Sequence, residues 1–232
     1  MLNIQHDIVS LLYSIKGRIE THLYKFDGVD AAQSKEALPE AHEALRKVYN
    51  QAQKALEATR RAAEIIRSKP DSNCAKTAVC LQTVWAKALT LLRDKYSTRQ
   101  IDLIEHIPTD FPLLACRSED MIEMFCCLIE NALQAMSGKG CLIIRATLAR
   151  NSQQQTQAAI VVADTGEGIS ADLLSNLFRP YVTTKRPGQG NGLGLCLVHG
   201  LARRNAGQVT IASFEGFGTA VTLTFPIVCL EE

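Results

Sequence analysis

Residues 157–169 read QAAIVVADTGEGI. The run from Ala158 to Ala163 is apolar, rich in β-branched residues, and stops at a carboxylate followed by two spaced glycines. That pattern predicts a buried strand ending at Asp164 and a tight turn after it. A carboxylate at a strand end is held on rigid backbone at the mouth of a sheet. It can accept a hydrogen bond from an exocyclic amine. Gly166 and Gly168 lack a Cβ, so a flat ring can approach their backbone closely.

Upstream, GCLIIRATLAR (140–150) reads as a second strand, joined to the first by the polar loop NSQQQT. Before it, SEDMIEMFCCLIENALQAM (118–136) predicts a strong amphipathic helix, with Ser118 as its cap and acids in its first turn. LQTVWAKALTLLR reads as a helix and RQIDLIEHI as a strand. Downstream, GQGNGLGL (188–195) leads into the helix LCLVHGLARRN, followed by the strands QVTIASF and TAVTLTFPIV. EGFGT (215–219) lies between those strands. Gly190, Gly192 and Gly194 stand where a helix begins. Free N–H groups and the helix dipole there make an anion site suited to phosphates. Residues 71–232 are therefore expected to form a two-layer α/β sandwich with an antiparallel-rich sheet.

The first 70 residues follow another rule. Ile4, Ile8, Leu11, Leu12, Ile15, Ile19 and Leu23 recur at three- and four-residue steps. Leu45, Val48, Ala52, Ala55, Leu56, Ala63 and Ile66 repeat that stripe after the break FDGVDAAQSKEALPE. This predicts an antiparallel helical hairpin over 1–70 whose stripes are covered in a homodimeric four-helix bundle. SKPDSNCA (68–75) is the expected linker. The fold class is thus α+β, a helical hairpin followed by the sandwich.

Composition excludes several classes. Hydrophobic residues make up 47% and charged residues 21%, so the chain is neither disordered nor collagen-like. Lys and Arg number 25 against 24 Asp and Glu, so no general field draws the chain to nucleic acid or acidic lipid. No apolar run approaches the roughly 18 residues needed to cross a bilayer. The expectation is a cytoplasmic chain without membrane contact of its own. The eight cysteines form no C-x-x-C pair and read as small core hydrophobes in a reducing compartment.

The order ENALQAM, DTGEGI, LFRPYVTTK, GNGLGL, GFGT resembles the ATP-binding domain of sensor histidine kinases. That group lies in the wider GHKL superfamily with gyrase, Hsp90 and MutL. The stretch 177–207 is closest to kinases of the nitrogen-regulation type, and the resemblance covers residues 74–232. It implies ATP and Mg2+ as cofactors. By resemblance Asp164 binds adenine and Asn131 holds the magnesium. Gly166, Gly168, Gly190, Gly192 and Gly194 line the nucleotide site, Lys185 reaches the phosphates, and Thr219 closes the adenine end. The segment from Ser170 to Gly190 corresponds to the ATP lid, with Phe178 as its anchor. One departure is Cys127, which stands where many of these kinases carry a second polar residue four positions before the asparagine. Glu130 is one step from Asn131, about 100° around the helix, and can still contribute to a metal or water site.

A kinase of this type needs an exposed phosphoacceptor histidine. His6-Asp7 has the form of the family's H box, a neutral imidazole beside a carboxylate that takes its proton. The match is partial, because Ser10-Leu11 replaces the usual asparagine–proline pair. Asp7 and Ser10 share one helical face, a spacing that in the family supports phosphatase action. His42-Glu43 is the rival pair, but it leaves no full hairpin before the ATP domain. His22, His106 and His199 read as structural or solvated. The resemblance implies a protein histidine kinase that passes its phosphoryl group to an aspartate of a response-regulator receiver domain. The alternatives are a phosphotransfer adaptor with a non-catalytic ATP-type domain and a GHKL ATPase clamp.

Overall fold

A computed structural model describes residues 78–97, 99–174, 176–178 and 192–228. The hairpin expected over 1–70, with His6, Asp7 and Ser10, lies outside these residues, as do the linker, Lys185 and Gly190.

The elements in chain order are β1 (Ala78–Val79), α1 (Leu81–Leu91), α2 (Arg93–Tyr96), β2 (Gln100–His106), β3 (Leu114–Ala115) and α3 (Ser118–Ala135). They continue with β4 (Lys139–Arg150), β5 (Thr156–Asp164), α4 (Ala171–Leu174), α5 (Gly194–Arg204), β6 (Gln208–Phe214) and β7 (Gly218–Pro226). Five strands form one sheet in the order β2-β4-β5-β7-β6. Its only parallel pair is β2–β4; the other three neighbours are antiparallel. β1 and β3 make a small separate antiparallel pair, which the sequence pattern does not reveal because each strand has two residues.

Period-two alternation directs one set of side chains inward. Ala158, Ile160 and Val162 of β5 are buried, as are Leu142, Ile144 and Ala146 of β4 and Val221, Leu223 and Phe225 of β7. α3 packs between α1 and α5, and these helices share one core with the strands' inner faces. Trp85 of α1 meets Phe125 of α3 edge-on, with ring centroids 5.2 Å apart. Each such fully buried side chain contributes about 1.5–3 kcal/mol of transfer free energy. The layer arrangement matches the expected sandwich.

One local expectation is corrected. α3 begins at Ser118 itself, the capping position is Arg117, and no side chain of the helix's own entry caps it. The tie comes from far along the chain. Arg117 N–H donates to Asn205 Oδ1 at 2.8 Å. Asp120, only 3% exposed, accepts from Arg204 Nε at 2.9 Å and from Asn205 Nδ2 at 2.7 Å. Asp120 therefore serves as an inter-helix anchor, joining the start of α3 to the end of α5.

Candidate nucleotide site

α3 and α5 run antiparallel, so the anchor at Asp120 and Arg204 leaves their opposite ends together beside the sheet. There Asn131, Asp164, Gly168, Gly192, Gly194 and Thr219 line one cavity. The first and last of these positions lie 88 apart in the sequence. Leu128, Val162 and Val221 give the cavity apolar walls.

Asp164 continues the inward parity of Ile160 and Val162, so its carboxylate points toward the helix layer. Burial pushes this carboxyl above the usual carboxylate range, while backbone N–H groups of Gly166 and Thr219 pull it down. The Gly166 N–H donates to Asp164 Oδ1 at 2.8 Å. Gly166 backs the site rather than lining it: a Cβ there would meet the Cβ of Ala135 in α3 at 2.5 Å. Two glycines are required by geometry. Gly168 has φ +70° and faces the Phe214 carbonyl; Gly218 has φ +123° and lies against the Asp164 carbonyl. A side chain at either position would both strain the backbone and collide with main chain.

The turn after Asp164 is fastened on both sides. Glu167 N–H donates to the Ala135 carbonyl at 3.1 Å, satisfying one of the unpaired acceptors at the end of α3. Gly216 N–H donates to the Glu167 carbonyl at 2.7 Å. Ile169 N–H donates to Ser213 Oγ at 2.9 Å, and Ser213 Oγ lies 2.8 Å from Thr219 Oγ1. Sequence reasoning passed over Ser213. The available signal was its parity: it takes the inward place after Val209 and Ile211 in an otherwise apolar row.

The other end of the cavity is the start of α5, whose free N–H groups and dipole suit an anion. Asn131 of α3 stands beside it; a Cβ on Gly194 would sit 3.4 Å from Asn131 Nδ2. One turn earlier, Cys127 lines the same cavity, and its thiol is pushed up to about 12, first by burial and then by Glu123 and Glu130. Cys127 is therefore a neutral thiol at pH 7 and a poor ligand for a hard cation. Glu130 also lines the cavity and forms an ion pair with Lys95 of α2. At the margin, Phe178 stacks on His199 of α5 with centroids 4.8 Å apart. Burial, then Arg203, lowers the His199 pKa, so the ring is neutral at pH 7.

Residues 117–228 match the family model described as histidine kinase-, DNA gyrase B-, and HSP90-like ATPase. The chain is 30% identical over 224 residues to sensor histidine kinase ZraS of Escherichia coli K12, covering 97% of this chain and 44% of that protein. Residues 117–228 are thus a histidine kinase-, DNA gyrase B- and HSP90-like ATPase domain. Adaptive-response sensory kinase SasA of Synechococcus elongatus is 26% identical over 232 residues, 97% of this chain and 57% of that protein. The chain thus spans about half the length of these relatives. Solved structures agree on the fold. Full-length ShkA in complex with AMPPNP aligns with TM-score 0.71 at 16% identity, covering 98% of this chain and 47% of that one. The catalytic domain of histidine kinase ThkA aligns with TM-score 0.56 at 20% identity, covering 65% and 95%. No helix among the described residues is long and apolar enough to cross a membrane.

Proposed function

We propose that the chain is the core of an ATP-dependent protein histidine kinase, with residues 1–70 as dimerisation and phosphoacceptor hairpin and 71–232 as ATP-binding domain. The observation that carries this is the cavity with two chemically distinct ends. A half-buried carboxylate stands at one end and a glycine-lined helix start at the other. Asp164 accepts the adenine amine, and Thr219 fixes that carboxylate through its backbone N–H. The N–H groups at the start of α5 take the phosphates beside Gly192 and Gly194. Gly190 and Lys185 belong to the same phosphate end on the family pattern.

The donor set fits magnesium held mainly by the nucleotide. Asn131 supplies an amide oxygen, Glu130 is the nearby oxygen-bearing acid, and no cluster of three His, Cys, Asp or Glu residues occurs among the described residues. Bound magnesium would neutralise charge on the phosphates as the terminal one leaves.

The His6 imidazole nitrogen attacks the γ-phosphorus. The N–P bond forms as the bond from phosphorus to the ADP oxygen breaks, and Asp7 takes the imidazole proton. Positioning and charge neutralisation supply most of the catalysis. The phosphoryl group then passes to an aspartate of a response-regulator receiver domain. Ser10, three positions after Asp7 in the sequence, supplies a hydroxyl to orient water for hydrolysis of the partner's aspartyl phosphate. The reaction belongs in the cytoplasm, where ATP and receiver domains are found, and proceeds in a homodimer.

Incubation with γ-labelled ATP and magnesium tests this reading. Wild type is expected to acquire acid-labile label, His6→Gln to lose it while still binding ATP, and His42→Gln to keep it. Phosphate release without self-labelling would mark an ATPase clamp instead, and absence of ATP binding an adaptor.

A further inference from the structure

The described lining of the cavity holds three carboxylates, on Glu130, Asp164 and Glu167, and no lysine or arginine. A polyphosphate tail carries several negative charges of its own. Hydrogen bonds from the α5 start help, but the three carboxylates of the described lining oppose such a ligand at long range. One described cation is joined directly to the lining. Lys95 Nζ is ion-paired with Glu130, and the lysine side chain is 58% exposed. The neighbouring Arg99 is tied down differently, donating to the Leu133 carbonyl near the end of α3. Thus Arg99 ties the chain after α2 to α3, while the Lys95 side chain meets Glu130 at the cavity rim.

We propose that Lys95 is a phosphate-binding residue of this site, parked on Glu130 until a nucleotide with a terminal phosphate displaces that carboxylate. The inference deepens the proposed nucleotide reading and rests on it. Three physical features favour the exchange. The lysine has a long flexible stem and three donors, so it can turn from one acceptor to another. An ion pair this exposed contributes little to stability, so breaking it costs little. A terminal phosphate presents more charge and more acceptor oxygens than one carboxylate. Glu130, one step along α3 from Asn131, is then released beside the metal-bearing end of the tail. Cys127, four positions before Asn131, offers only a neutral thiol there.

Calorimetric titration of the full chain with ATP and with ADP, both with magnesium, tests the proposal. Lys95→Met is expected to weaken ATP about tenfold, the size of one charge-assisted hydrogen bond, and ADP clearly less. Lys95→Arg should keep most of the ATP affinity. Glu130→Gln, titrated like the double variant below without magnesium so that no metal contact of Glu130 intervenes, should bind ATP as tightly as wild type or more tightly. The melting temperature without nucleotide should change little in each variant, because both side chains are on the rim. The double variant Lys95→Met/Glu130→Gln decides the matter. If Lys95 contacts phosphate, the double variant stays weak for ATP. If Lys95 merely neutralises Glu130, removing both restores wild-type affinity and the proposal is overturned. Equal losses for ATP and ADP in Lys95→Met, or no loss at all, would also overturn it. That last result points to Lys185 as the phosphate cation, checked by Lys185→Met. A wild-type chain that binds neither nucleotide removes the nucleotide reading itself.

Discussion

Replacing Asp164 by asparagine changes one oxygen to an NH2 group at nearly constant shape, and the structure gives its consequences opposite signs. In the free domain, burial disfavours the charged carboxylate and is only partly offset by the Gly166 and Thr219 N–H groups. A carboxyl whose folded pKa is raised stabilises the fold least at pH values above that pKa. The neutral amide avoids this burial penalty, and its oxygen can still accept the Gly166 N–H now 2.8 Å from Oδ1. Asp164→Asn is therefore expected to melt at the same temperature as wild type or higher at pH 7. Binding moves the other way. The adenine amine loses a charged acceptor worth about 1.5–3 kcal/mol, so ATP and ADP should both weaken by roughly 10- to 150-fold. The new NH2 can donate to a 6-carbonyl oxygen, so the ratio of ATP to ITP affinity should shrink by about tenfold or more. Wild-type ATP affinity should also fall as acid protonates Asp164, beginning above the ordinary carboxylate range, while Asp164→Asn stays flat there. Titration calorimetry with ATP, ADP and ITP over a pH series measures all of this. An unchanged ATP-to-ITP ratio, or a loss confined to ATP, would refute the assignment of Asp164 to the base.

Two further outcomes follow from named contacts. Asp120→Ala leaves Arg204 and Asn205 without their shared acceptor at the junction of α3 and α5. It should cost about 3 kcal/mol in urea unfolding, since one partner of a buried pair is removed; a cost under about 1 kcal/mol would mean water replaces the carboxylate there. Asn131→Ala should leave magnesium-free nucleotide binding nearly unchanged and sharply reduce the gain in affinity that magnesium confers. If magnesium-free binding falls as far as in Asp164→Asn, Asn131 is holding the cavity's shape, not the metal.

Much of the architecture was legible because it rests on local rules. Strands β4 to β7 alternate with period two or run continuously apolar, and α3 carries a wide apolar stripe, so their existence follows from residue spacing. Asp164 and Gly168 were marked by the chemistry of a strand end and its turn, Gly192 and Gly194 by that of a helix start, and Thr219 by the family resemblance; the structure places all five around one cavity with Asn131. Gly166 shows the limit of such reading. Its lack of a Cβ was apparent, but whether the bare backbone faced a ligand or α3 depended on where Ala135 stood.

The sequence by itself determined the periodicities, the glycine boxes and the near-neutral charge, since these depend only on neighbours in the chain. It also placed the family motifs in their order. Only the tertiary structure decided which distant groups meet. Asp120 finds Arg204 and Asn205 across 84 and 85 positions, Ser213 latches Ile169 across 44, and Lys95 reaches Glu130 across 35. No local pattern specifies such partners, because a polar side chain carries the same chemistry wherever it lies. Its partner is chosen by the packing of apolar faces, which brings the polar groups together, buried in the case of Asp120 and Asn205.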